Sequence, residues 1–118
     1  FEFENAFVAR AESLFTGKPS LKAIQAIEDS SLIAIDSNKL FQLFDKHHDL
    51  ERLFRKIIEA SYVNTVNRIE SLQFHTADER YHDLLKEHKD VLKRGPLKYI
   101  ASYLGITPVS LSRIRAQK

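Results

Sequence analysis

The sequence predicts a mainly α protein with a residual β-hairpin or partial β-roll at its N-terminal end, one long central helix and a C-terminal helix-turn-helix bundle. Three observations carry that prediction. Across residues 49–74 apolar side chains recur at spacings of three and four with no Pro or Gly between them, the pattern of a long helix. Across residues 96–118 two short helical stretches each open near a proline and are separated by Gly105, which places the helix-breaking residues at helix ends. Only the segment before Ile35 shows the alternation expected of strands.

Composition narrows the class. With 43% hydrophobic and 29% charged residues in 118, the chain has enough apolar surface for a core and too much charge for a membrane span. It lacks a signal-peptide pattern, so the cytoplasm is the expected location. Starting at Phe1 with no initiator methionine, it reads as a fragment. The absence of cysteine excludes disulfides, thiolate zinc sites and cysteine nucleophiles. Net charge is +2, but residues 91–118 hold six Lys or Arg and no Asp or Glu, leaving −4 for the rest. Such asymmetry sets up a local positive field that attracts polyanions.

From the N-terminus, Gly17-Lys18-Pro19-Ser20 is a turn signal. Alternation in Leu21, Ala23, Ile24, Ala26 and Ile27 predicts a strand, Leu32 to Ile35 a second, and Glu28-Asp29-Ser30-Ser31 their tight connection. Two strands alone are marginal. Ser37 is then placed to cap a short amphipathic helix bearing Leu40, Phe41, Leu43 and Phe44. The long helix follows, with Leu50, Leu53, Phe54, Ile57, Ile58, Tyr62, Val66, Ile69 and Leu72 as its apolar positions. A second stripe, Ala60, Val63, Asn64, Asn67 and Ser71, is available to another copy of the chain. We therefore expect a homodimer, with Leu50, Leu53, Phe54, Ile57, Ala60, Asn64 and Asn67 at its interface.

Thr76-Ala77-Asp78-Glu79 has the spacing of a capping box. The helix it opens runs through Tyr81, Leu84 and Leu85 toward His88, and Val91 with Leu92 makes a last apolar step before Arg94-Gly95-Pro96 breaks the chain. Pro96 fits a first helical position, Tyr99, Ile100, Tyr103 and Leu104 mark a buried face, and Gly105 ends that helix. Thr107 and Pro108 restart the chain as cap and first residue, with Leu111 and Ile114 facing inward. Two short helices across a tight glycine turn make a helix-turn-helix. The outer face of its second helix then presents Val109, Ser110, Ser112, Arg113, Arg115 and Lys118. Arg113 can donate a bidentate pair to guanine, Ser110 can reach a base or phosphate, and Val109 can meet a thymine methyl. Lys98, Arg115 and Lys118 suit phosphates, and Thr107 at the cap completes the candidate DNA contacts. A helical protein-interaction module without DNA binding is the alternative for the same helices.

Other chemistry finds little support. The turn at Gly17 lacks the upstream glycine of a phosphate loop, and Pro19 removes an amide donor. Glu79 and His82 share the spacing of a di-iron half-site but occur once, and the five histidines lack the i, i+4 spacing of a helical zinc pair. No metal site, cofactor or enzymatic activity is expected.

The residues Thr76-Ala77-Asp78-Glu79-Arg80-Tyr81 with Leu84-Leu85, and Tyr99 through Pro108 with Ser112-Arg113-Ile114-Arg115, resemble the Crp/Fnr transcription regulators, with wording close to their Bacteroidetes branch. The resemblance spans the chain. It implies that residues 1–48 are the C-terminal part of a cyclic-nucleotide-binding-like β-roll, 49–74 a dimerisation helix and 75–118 a DNA-binding domain. It also implies an inverted-repeat operator on double-stranded DNA, RNA polymerase as a partner, and a small-molecule effector of unknown identity near Gly17, Pro19 and Ser20. Nucleotide-binding relatives usually carry an arginine after the cassette proline, where this chain has Ser20, so cyclic AMP is not the expected effector. Many relatives carry a glutamate early in the recognition helix, where Val109 stands here, so the operator should differ from theirs. The β-hairpin wing of many relatives has no counterpart before Lys118.

Overall fold

A computed structural model describes residues 1–117 of the chain. Seven helices are present among them: α1 (Ala11–Thr16), α2 (Ser37–Phe44), α3 (His48–Phe74), α4 (Ala77–Glu87), α5 (Val91–Arg94), α6 (Leu97–Leu104) and α7 (Pro108–Ala116). The mainly helical class expected from the sequence is present. No transmembrane candidate occurs: no helix among the described residues is long and apolar enough to cross a membrane.

The expected β-hairpin does not form, and no strand occurs among the described residues. Residues 21–35 are irregular, and Leu21, Leu32 and Ile33 are 103%, 80% and 94% exposed. Alternation specifies a strand only where a partner ladder takes up the backbone amides and a second layer covers the apolar face. Neither is supplied here. The polar bend instead closes on itself, Ser30 Oγ donating to the Glu28 carbonyl. The segment before it holds an element the sequence did not announce, the six-residue helix α1, stopped by Gly17 at φ +69°.

Helix α2 begins one residue earlier than expected. Asp36 is its cap, accepting from the Lys39 amide at 2.9 Å, and Ser37 is already helical. Its single buried residue is Leu40, and Phe44 leans on Phe54 of α3 with ring centroids 5.1 Å apart. Phe7 meets the same Phe54 edge-on at 5.7 Å. This small aromatic cluster anchors the start of α3. Along the remaining length of that 27-residue helix no other side chain is buried.

The main core lies at the C-terminal end. Tyr81 and Leu84 of α4, Val91 of α5, Ile100, Ala101 and Leu104 of α6 and Leu111 of α7 form one buried cluster, with Leu85, Leu92, Leu97, Tyr103, Ile106 and Ile114 packed around it. Phe1 and Phe3 also pack against this cluster. Each helix contributes the face its period of 3.6 predicts. The capping box is present in full: the Glu79 amide donates to Thr76 Oγ1 at 3.3 Å, and the Thr76 amide donates to the Glu79 carboxylate at 2.7 Å. That bond to the cap amide is the main reason the Glu79 carboxyl is held below its ordinary pKa.

Arg80 joins the long helix to the core. Its Nε donates to the Leu104 carbonyl at 3.0 Å and its Nη1 to the His75 carbonyl. Those carbonyls sit at the ends of α6 and α3, where helix dipoles leave partial negative charge. One guanidinium therefore ties two helix C-termini to the first turn of α4. Beside it, Arg68 of α3 lies 4.0 Å over the Tyr103 ring.

Candidate nucleic-acid interface

Helices α6 and α7 and the turn between them are built by local rules. Gly105 takes φ +68°, where a Cβ would meet Leu72 Cδ2 at 3.2 Å and a left-handed backbone disfavours L side chains. The next amide, Ile106, donates back to the Ala101 carbonyl at 3.0 Å, closing a Schellman turn. Thr107 then caps α7, accepting from the Ser110 amide at 3.1 Å, and Pro108 occupies the first helical position. Pro96 differs from expectation by one position: it precedes the helix with ψ 136°, and α6 starts at Leu97. Ala101 is fully buried between the helices, a place where any larger side chain would force them apart.

With Leu111 fully buried and Ile114 half-buried, α7 has one anchored and one free face. Val109, Ser112, Arg113 and Arg115 are exposed on it, Val109 at 62%. Neither arginine has a carboxylate within ion-pair distance among the described residues. Ser110 is half-buried, and its hydroxyl sits 3.0 Å from Thr107 Oγ1. The two hydroxyls thus serve the cap first. Lys98 is exposed on α6 with its ammonium 4.7 Å over the Tyr99 ring. Lys118 lies outside the described residues.

The expected dimer contacts divide. Phe54 is buried within its own chain, Leu50 and Ile57 are half-buried, and Leu53, Ala60, Asn64 and Asn67 are exposed. At the Gly17 turn, Gly17 and Pro19 are exposed, the Lys18 amide donates to Thr16 Oγ1, and the Lys22 amide donates to Ser20 Oγ. These are bonds of a turn closing on its own polar groups. Two histidines face carboxylates, His75 between α3 and α4 lying 3.3 Å from Asp83 and His82 of α4 lying 3.4 Å from Asp78.

Arg94 was not a candidate from sequence, yet it organises the rim of this domain. It donates from Nη1 and Nη2 to the two Glu4 oxygens at 3.0 and 2.6 Å and from Nε to Glu28 at 2.7 Å. Phe3 stacks on His88 at 4.9 Å and Phe1 packs on Tyr103 at 5.3 Å, so residues 1–4 lie against α6 and the end of α4. The Arg94 hydrogen bonds hold the Glu4 carboxyl down, from 4.5 to about 2. A carboxyl depressed in the folded chain adds stability above its unfolded pKa and loses it as pH falls through its folded value. Docking of residues 1–4 should therefore be intact at neutral pH and weaken progressively from about pH 4.5 toward pH 2. A pH titration of the Phe3 ring resonances checks this, and Glu4→Gln should remove the acid-limb transition. Screening makes the effect modest, because Glu4 is 67% exposed.

Comparison of the chain with protein-family models, with curated proteins and with solved structures returned no match.

Proposed function

We propose that the chain is a sequence-specific DNA-binding transcription regulator of the Crp/Fnr type, acting as a homodimer on an inverted-repeat operator. The observation that carries the proposal is the outward face of α7: two arginines with no carboxylate within ion-pair distance among the described residues, together with Ser112 and Val109, projecting from a helix whose opposite side is fixed by Leu111. A rigid helix with exposed donors and no acidic residue from 91 onward suits the major groove, where arginine reads guanine and an apolar group reads thymine.

Support for the homodimer comes from surface area. A folded monomer of 13.7 kDa exposes about 6,600 Å², whereas this chain exposes 9543 Å². Its radius of gyration is 17.1 Å against about 13.5 Å for a compact chain of its length. Along α3, Leu53, Ile57, Ala60, Asn64, Asn67, Ser71 and Phe74 alternate at spacings of four and three, the seam of a coiled coil. Polar Asn64 and Asn67 in such a seam would favour one register over others at some cost in stability. Cytoplasmic location, contact with RNA polymerase and control by a small-molecule effector belong to the same proposal.

Selection from random DNA by the dimer should return an inverted repeat with half-sites about one helical turn apart. Recovery of no enriched sequence would overturn the proposal. Arg113→Ala should cost about 1–3 kcal/mol on the selected operator and relax one base position. An equal loss on every sequence would make Arg113 a phosphate contact. DNA affinity should fall steeply and linearly in a log-log salt titration, whereas a protein-interaction module would show no such slope.

A further inference from the structure

Between the N-terminal segment and α6 lies an open groove of about 670 Å³, within the size range of small-molecule sites. Phe1, Tyr99 and Tyr103 give it aromatic walls, and Arg10 and Lys22 border it, while no acidic side chain does. Arg10 Nε is shielded from solvent and has no hydrogen-bond partner among the described residues. Two cationic side chains with no acid beside them on one rim favour an anionic guest, which charge-assisted hydrogen bonds would hold. Neither Arg10 nor Lys22 has a carboxylate within ion-pair distance among the described residues, and Glu4 and Glu28 are engaged by Arg94.

We propose that this groove binds a small organic anion with an aromatic body, its acidic head held by Arg10 and Lys22 and its ring placed among Phe1, Tyr99 and Tyr103. The site is separate from the Gly17-Pro19-Ser20 turn, none of whose three residues borders it. The walls come from two parts of the chain: Lys22 and Gln25 from the irregular segment, Tyr99 and Tyr103 from α6. They already touch, Tyr99 Oη donating to Gln25 Oε1 at 3.2 Å. A bound anion would brace residues 22–25 against α6, one helix away from α7. That consequence for DNA rests on the helix-turn-helix proposal; the binding itself does not.

The probes are phenyl phosphate, benzoate and inorganic phosphate, titrated into the full chain by calorimetry while the Tyr99 and Tyr103 ring resonances are followed. An aryl anion should saturate a single site and shift both rings. Arg10→Gln and Lys22→Gln should each weaken it about tenfold, equivalent to ~1.4 kcal/mol, while Arg113→Gln leaves it unchanged. Tighter binding of phenyl phosphate identifies a phosphate head, and tighter binding of benzoate a carboxylate. The proposal is overturned by three results: no saturation by either aryl anion, inorganic phosphate binding as well as both, or affinity that follows Arg113 instead of Arg10 and Lys22. Circular dichroism of the two variants, whose altered side chains are not in the core cluster, separates lost binding from lost folding.

Discussion

Leu104→Ala should destabilise the C-terminal bundle by about 2–5 kcal/mol, enough to leave much of it unfolded at 37 °C. Leu104 has no exposed surface and packs in the cluster shared by α4, α5, α6 and α7. Truncation removes the transfer free energy of a buried isobutyl group and leaves a cavity whose walls belong to four short helices. None of these exceeds 11 residues, so none is stable without the packing. The same residue's carbonyl accepts from Arg80 Nε, so movement there also loosens the tie between α6 and the end of α3. Urea unfolding followed by circular dichroism checks the magnitude. Val109→Ala, on the exposed face of α7, is the internal standard and should change stability by no more than about 0.5 kcal/mol. A Leu104→Ala midpoint no lower than that of Val109→Ala would mean that the bundle is not held by this core.

The difference between those two positions was legible in the sequence, because helix faces follow from local periodicity. So were the cap at Thr107, the left-handed Gly105 and the Thr76–Glu79 box, each of which needs only residues within a few positions of one another. Asp36 and Ser37 are both good caps, and only the backbone decided between them. The strands were misread for the opposite reason: Leu32 and Ile33 carry strand propensity, but a strand is completed by partners that lie elsewhere. Helix α1 has six residues and no buried side chain, too short for a periodic signal. Arg80 and Arg94 join groups 24, 66 and 90 positions apart, and nothing in one sequence ties Arg94 to Glu4 or Arg80 to the Leu104 carbonyl. Of the candidate interface, the helix and its outward arginines could be read; the packing of Phe1 and Phe3 on the C-terminal helices and the groove that Phe1 lines could not.

Ala60→Glu should weaken the proposed dimer by about 100-fold or more in Kd, close to 3 kcal/mol. Ala60 sits mid-way along α3 in the seam defined by Leu53, Ile57, Asn64 and Asn67, and it is exposed in the single chain. Glutamate is a good helix former, so the folded monomer should be nearly unaffected. In a two-fold dimer each substitution appears twice, so two carboxylates would be desolvated near one another in the seam. Thr65→Glu adds the same charge to the same helix outside that seam and serves as the control; its site is exposed. Sedimentation equilibrium measures the association. Under the proposed function, DNA binding supplies a second readout that a folding defect would not mimic: a monomer would make half the phosphate contacts, so its log-log salt slope should be about half that of the dimer. If Ala60→Glu stays as dimeric as Thr65→Glu and keeps the full slope, the pairing surface lies elsewhere on the chain, and the heptad spacing of α3 has another use.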